Sequence, residues 1–198
     1  MILIVGAMQE EIKQIAEYLK KDHRLLITGV GKVNAAMKLA EMIHQERIHA
    51  IINLGFAGAS GNFHVGDLVL VKETRYHDFD LTFFGYEHGQ VPGYPAIFTS
   101  DSWWINHIKS MFPKIKEGTL LTGDYFMSQK QEGQLLFDME GAALYHVAHH
   151  HHIPIVSIKV VSDLVGMDHH LEQYRHFEAK EGAKRLLDAY LMLFGGTV

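Results

Sequence analysis

The sequence predicts an α/β protein whose central sheet is largely parallel and covered on both faces. Two observations predict it. Short unbroken apolar runs, each ending at glycine or a polar residue, alternate along the chain with segments whose apolar residues recur at helical spacing. The runs themselves show no polar/apolar alternation, so both faces of each strand are buried, as when crossover helices cover a parallel sheet. The 198 residues read as one domain over 1–198, long enough to bury a sizeable core.

The elements follow in order. Residues 1–5 (MILIV) form a buried strand closed by Gly6. From Glu10 a helix is expected, with Ile12, Ile15, Ala16 and Leu19 on one face and Lys13, Gln14, Glu17 and Lys20 on the other. Residues 25–27 make a second strand, closed by Gly29 and Gly31. A helix follows whose buried face is Val33, Ala36, Met37, Ala40 and Ile43. Residues 50–54 are a third strand, running into the turn-rich GFAGASGN, and 68–71 a fourth. Residues 73–99 are rich in Gly, Pro and aromatics without helical period, and read as a long functional excursion over the surface. A helix around 101–112, a strand near 118–122 and a helix over 140–150 come next. IPIVSIKVVSD is a strong β-branched strand. The last helix spans 171–194, with Leu186, Leu187, Tyr190, Leu191 and Phe194 facing the core.

Composition excludes several classes of function. The net charge of −5 argues against nonspecific binding to nucleic acid or anionic lipid, which needs excess Lys and Arg. No stretch reaches the roughly 18 apolar residues of a membrane helix. MILIV has no basic region before it and is too short for a signal peptide. The absence of cysteine rules out disulfides, thiolate metal sites and a thiol nucleophile, and fits a reducing cytoplasm.

Parallel sheets bind ligands beyond the carboxyl ends of their strands. That rule selects residues 6–11, 28–32, 55–58, 122–127, 138–140 and 162–164, where glycines and polar residues cluster. GVGK (29–32) is not a P-loop, because Leu26 and Val33 stand where Gly and Ser/Thr are needed. It is not a dinucleotide fingerprint either, because Asn34 replaces the third glycine. It reads as a tight turn into a helix, or as a backbone contact to substrate. The run His149 to His152, after His146, lies at a helix end where the dipole favours it. No carboxylate or cysteine joins it as a metal site would require.

Three carboxylates end at this rim. Glu11 follows the first strand at a helix start, where dipole complementarity is its ordinary role. Asp163 follows a fully apolar strand, where an N-cap is the ordinary role. Glu140 sits in FDMEGAALYHV at the seam between buried strand and buried helix, and has no comparable ordinary role. Such a set suits a neutral substrate with several hydroxyls and a leaving group that needs a proton. A phosphate site would instead call for Arg, Lys or bare glycine amides.

At this rim the chain resembles the 5'-methylthioadenosine/S-adenosylhomocysteine nucleosidases, within the wider nucleoside phosphorylase superfamily. The likeness is carried by IVGAMQEEI, TGVGKVNAA, IINLGFAGA, VGDLVLV, RYHDFDLTFFGYEHGQVPG, TGDYFM, DMEGAALYHVA and IPIVSIKVVSDL in the family's order. The resemblance implies a three-layer αβα sandwich with a mixed, largely parallel sheet, a homodimer, and no metal or cofactor. It implies hydrolysis of the N-glycosidic bond of an adenine thioribonucleoside. Glu11 would activate water, Asp163 would protonate the purine at N7, and Glu140 would hold the ribose 2'- and 3'-hydroxyls. Met139 would lie against the ribose, Phe126 would stack on adenine, and Met127 would contact its edge through backbone. Met8 and Val30 would line the sugar and 5' pocket. Ser162 and Phe56 complete the expected substrate-binding set. Leu81, Phe84 and Pro92 would reach into the neighbouring subunit's 5' pocket. A proton-donating Asp163 calls for a burial-raised pKa.

The chain also departs from the family's pattern. A hairpin is missing between Lys21 and Leu25, and the loop from Met127 to Asp138 is trimmed. Phe56 stands where a small residue is usual and is expected to crowd the sugar or water site. Asp138 and Lys159 replace a Glu and an Arg and are expected to pair. The rival activities are a futalosine or aminofutalosine hydrolase and a purine nucleoside phosphorylase. A nucleoside-binding or storage protein on the same fold is the non-enzymatic rival.

Overall fold

A computed structural model describes residues 1–129, 131–167, 172, 177 and 181–195. The order of elements is β1 (Ile2–Gly6), α1 (Gln9–Ile12), β2 (His23–Ile27), α2 (Lys32–Gln45), β3 (Ala50–Ser60), β4 (Leu68–Tyr76) and β5 (Phe98–Thr99). It continues with α3 (Ser102–Met111), β6 (Lys116–Thr122), β7 (Leu135–Asp138), α4 (Gly141–His150), β8 (Ile155–Leu164) and α5 (Ala183–Phe194).

The strands make one mixed sheet. β1 lies parallel between β2 and β3. β3 pairs along one edge with β8, in parallel. Its other edge serves β1 over the first half and turns to β7, antiparallel, from Gly58 to Ser60. β4 lies antiparallel to β8 and β5 and parallel to β6, which is parallel to β7. β3 is therefore the strand at which the sheet forks.

Alternation along β1 and along β3 as far as Phe56 sends side chains into two separate cores. Ile4, Ile52, Leu54, Phe56 and Ile158 pack beneath α1, α3 and α5, against Ile12, Ile108, Leu186 and Tyr190. Leu3, Val5 and Ile51 pack on the opposite face, against Ala35 and Leu39 of α2 and Leu144 and Tyr145 of α4. This is the expected three-layer arrangement.

Four elements differ from the sequence reading. β3 runs through GFAGAS to Ser60 in place of the expected turn, and β4 runs to Tyr76 into the expected excursion. The first helix closes at Ile12 and continues as a 3₁₀ segment over Lys13–Tyr18. Its two buried anchors, Ile12 and Ile15, are three residues apart, which the 3₁₀ period satisfies directly. α2 is rotated from the expected face, of which Ala36 and Ile43 still pack against the core. Ala35 and Leu39 are fully buried, while Val33 and Met37 are 75% and 46% exposed. The helix is apolar around most of its circumference, so two stripes compete and periodicity cannot choose between them. Most of the expected start of the last helix lies outside the described residues. Within α5, Leu186 and Tyr190 are buried as expected, and Leu187, Leu191 and Phe194 pack at the margin of that core. Beyond the end of β4 at Tyr76, the long excursion holds only a 3₁₀ turn at Thr82–Phe84 and the two residues of β5 as regular structure.

The inward face of α2 can be tested. Leu39→Ala is expected to cost about 2–5 kcal/mol of folding stability in urea titration, because it empties a fully buried site. A loss below about 1 kcal/mol would place Leu39 outside the core.

Candidate active site

Pockets open at the carboxyl ends of strands because the chain turns away there. In this chain the rim gathers all ten expected residues of the protomer's own site: Met8, Glu11, Val30, Phe56, Phe126, Met127, Met139, Glu140, Ser162 and Asp163. Leu81, Phe84 and Pro92 do not line it, and Phe84 is 71% exposed on the excursion. Tyr125 and Asp138, in segments the strand-end rule selected but not among the expected contacts, also line the pocket, as do Phe137 and Val165, which lie just outside those segments. Tyr125 stands beside Phe126 in TGDYFM, so an aromatic pair in a strand-end loop was the available signal.

Glu11 is buried in the first turn after β1. Its Oε2 accepts from the Ala7 and Met8 amides, both at 2.8 Å, and its Oε1 accepts from the Phe56 amide at 2.9 Å. Burial pushes its pKa up, and Lys159 and these amides offset only part of that rise.

Asp138 ends β7 and does the capping work for α4. It accepts from the Gly141 amide at 2.9 Å and from the Thr122 hydroxyl at 2.6 Å. It pairs with the buried Lys159 ammonium at 2.9 Å, as expected. Burial alone would lower the pKa of Lys159, but Asp138, Glu11 and Glu140 outweigh it and hold the group above its usual range.

With Asp138 serving the helix, Glu140 is released from that duty. It occupies the N-cap position of α4 without capping it, and reaches instead to the Gly31 amide at 2.8 Å. Gly31 has φ = 97°, a left-handed conformation that suits glycine. GVGK thus contributes a backbone amide to the site. Burial, reinforced by the charge of Asp138, pushes the Glu140 carboxyl up to about 7 against the pull of Gly31 and Lys159.

Ser162 and Asp163 are consecutive, yet both line the pocket. In a regular strand neighbours point to opposite faces. Here the register of β8 against β3 jumps from Ala57↔Val161 to Gly58↔Asp163, leaving Ser162 as an extra residue. Such a bulge re-aims side chains, and the Ser162 hydroxyl donates to Asp163 Oδ1 at 2.7 Å. Two glycines of GFAGAS admit the carboxylates. A Cβ at Gly55 would stand 2.9 Å from Glu11 Oε1, and one at Gly58 would stand 3.2 Å from Asp163 Oδ2.

Phe56 borders the pocket, but its bulk is taken up by the core. Its amide faces Glu11, and its ring lies in the core beneath α5, edge-on to Phe177 at 6.0 Å. Gly182 makes room for it, since a Cβ there would overlap the edge of the Phe56 ring. Away from the pocket, His146 accepts from or donates to the Tyr76 hydroxyl at 3.0 Å, and His150 pairs with Tyr94 at 2.9 Å. Among the described residues no group of three or more His, Asp or Glu is arranged to hold a metal ion. No helix among them is long and apolar enough to cross a membrane.

Fold and rim together fall in the phosphorylase superfamily, whose family model matches residues 19–191. A 5'-methylthioadenosine/S-adenosylhomocysteine nucleosidase from Chromohalobacter salexigens is 33% identical, with 84% of this chain and 86% of that protein covered. A solved nucleosidase of the same name from Neisseria meningitidis, in complex with methylthio-immucillin-A, superposes with a TM-score of 0.90. It is 28% identical, with 99% of each chain covered. The Streptococcus pneumoniae enzyme in complex with 8-aminoadenine gives the same TM-score, identity and coverage. The chain belongs to the family of 5'-methylthioadenosine/S-adenosylhomocysteine nucleosidases.

The raised Glu140 carboxyl makes stability depend on pH. Below about pH 4.5 the group is protonated in folded and unfolded chains alike, and its contribution is fully present. As pH rises toward 7 the unfolded chain ionises first, and the folded state loses up to roughly 3 kcal/mol, at 1.36 kcal/mol per pKa unit. Glu140→Gln should therefore exceed wild type in stability at about pH 8, with the gap closed near pH 4.5. Equal urea midpoints at the higher pH would contradict this.

Gly182→Ala is expected to drive the Phe56 ring toward the pocket and to raise KM for a nucleoside. Adding Phe56→Ser should restore it. A double variant as impaired as the single one would show that the two residues do not share space.

Proposed function

We propose that the protein hydrolyses the N-glycosidic bond of 5'-methylthioadenosine or S-adenosylhomocysteine, releasing adenine and the thioribose. The observation that carries this reading is the convergence of Glu11, Glu140 and Asp163 on one apolar-walled pocket. No Lys or Arg side chain lines that pocket among the described residues, and the nearby Lys159 is committed to Asp138. An anionic co-substrate such as phosphate lacks a partner there, which favours water as the attacking group.

Breaking the C1'–N9 bond leaves its electron pair on the purine and positive charge on the sugar. Carboxylates held by fixed amides stabilise that charge without reorganising. Glu140 Oε1 is held by Gly31, and Oε2 is the atom we assign to the ribose hydroxyls. Glu11, oriented by its three amides, takes a proton from the water that adds to C1'. Asp163 gives a proton to N7 and so must enter the reaction protonated. Phe126 provides a stacking face for the base, Met127 its edge contact, and Met139 an apolar floor for the ribose. Met8 and Val30 flank the sugar and 5' group.

The pocket is open where Val30 and Phe126 are about half exposed, and Val33 and Met37 continue an apolar surface from there along α2. A second copy of the chain would cover this face and bring Leu81, Phe84 and Pro92 of the excursion to the 5' end. We therefore assign a homodimer of this single domain, working in the cytoplasm.

Methylthioadenosine, adenosylhomocysteine, inosine and futalosine, each with and without phosphate, separate the readings. Adenine release from the first two, independent of phosphate, is expected. Asp163→Asn should lower kcat by about 10²–10⁴-fold. Free base from none of the four would overturn the assignment, and phosphate-dependent release would make the enzyme a phosphorylase.

A further inference from the structure

Behind the pocket lies a charged cluster that the proposed chemistry does not use. Lys32, Asp78 and Asp124 each stand just past a strand end: Lys32 at the start of α2, Asp78 two residues after β4, Asp124 two residues after β6. None of the three lines the pocket. The Lys32 ammonium lies 2.6 Å from both carboxylate oxygens of Asp78 and 3.6 Å from Asp124 Oδ2, over the ring of Tyr76 at 5.5 Å. Backbone completes the triangle. The Lys32 amide donates to Asp124 Oδ1 and the Asp124 amide to Asp78 Oδ2, each at 2.8 Å. Burial works to raise the Asp78 carboxyl, but Lys32 and the Asp124 amide outweigh it and hold the group below its usual range.

The contacts are partly exposed, with Lys32 and Asp124 side chains 22% and 44% accessible. Pairs of that kind contribute only about 0–1 kcal/mol to stability, so holding the fold together is a poor account of the cluster. Its value is geometric. One residue before Lys32 is Gly31, whose amide holds Glu140. One residue after Asp124 begin Tyr125, Phe126 and Met127, the base side of the pocket. The Lys32–Asp124 contact therefore links the amide that orients the sugar carboxylate to the loop that carries the base-stacking ring. Asp78 anchors both to the end of β4. Packing also fixes the gap, since a Cβ at Gly31 would stand 3.3 Å from Asp124 Oδ1.

We propose that Lys32, Asp78 and Asp124 are positioning residues that set the span between the ribose clamp and the adenine platform. This rests on the nucleosidase reading above. Such residues act on binding of the whole nucleoside, since a span of the wrong length lets sugar or base engage but not both.

The test compares Lys32→Met, Asp78→Asn and their double variant with wild type, using methylthioadenosine. Each single variant is expected to raise KM about tenfold with kcat changed less than about threefold, and the double variant to be no worse than either single. Lys32→Arg, which keeps the charge, should recover most of the loss. Lys38→Met, which removes an exposed pair with Glu41 on the same helix, should behave as wild type. KM within about twofold of wild type in folded Lys32→Met and Asp78→Asn, or additive losses in the double variant, would overturn the proposal. So would losses that merely follow a fall in melting temperature. If Lys32→Met does not fold, Asp124→Asn carries the same comparison, because it keeps the acceptor for the Lys32 amide and removes the charge. Calorimetric binding of adenine, and of methylthioadenosine in an Asp163→Asn background that slows turnover, separates the two readings. A wild type that binds adenine without cleaving any nucleoside defeats only the functional reading, whereas cluster variants that bind methylthioadenosine as tightly as the Asp163→Asn parent defeat the cluster. Adenine, which engages the base side alone, should bind them all alike. A wild type that does neither defeats both.

Discussion

The ion pair between Lys159 and Asp138 is the constraint on which the site depends. Both side chains are withdrawn from water and 2.9 Å apart. Removing one partner of a buried pair leaves an uncompensated charge, at about 3–5 kcal/mol. Here the stakes are wider than one pair. Lys159 is the shared cation for Asp138, Glu11 and Glu140, and all three hold its proton on. Asp138 in turn caps α4, binds Thr122 and, by satisfying the helix end, leaves Glu140 available to the pocket. One ammonium group thus underlies the acidic side of the site, from the strand that bears Asp163 to the helix that follows Glu140.

Much of the fold was legible because burial on both faces leaves unbroken apolar runs. β1 and β8 fall within two residues of such runs, whereas β3 runs six residues beyond Leu54, because the small residues of GFAGAS that suggest a turn also fit a strand packed closely against its neighbours. The orientation of α2 was not legible. Its sequence offers two apolar stripes, and the one that faces outward exposes Val33. A monomer's periodicity cannot distinguish a stripe for its own core from a stripe for another surface. The antiparallel turn of β3 toward β7 was also hidden, since a strand's sequence does not state its partners.

The site was more legible than the fold's details, because carboxylates at strand ends have few reasons to be buried. What the sequence concealed was how neighbours share tasks. Glu140 looked unaccounted for because the nearby Asp138 takes the capping role. Phe56 looked obstructive because its space is provided by Gly182, far along the chain. GVGK matched no nucleotide motif, yet its Gly31 amide holds the Glu140 carboxylate. Pairings of this kind join residues distant in sequence, which no local pattern records.

The extra residue in β8 gives the family's chemistry an unusual dependence on counting. Side-chain identity decides what Ser162 and Asp163 can do, but chain length decides where they point. Losing or gaining one residue between Ile155 and Asp163 would leave every chemical group present and turn the acid away from the pocket. Within this strand, the number of residues matters to the site as much as their identity. A relative that conserves each site residue but differs by one position there would keep the vocabulary of the enzyme and lose its grammar.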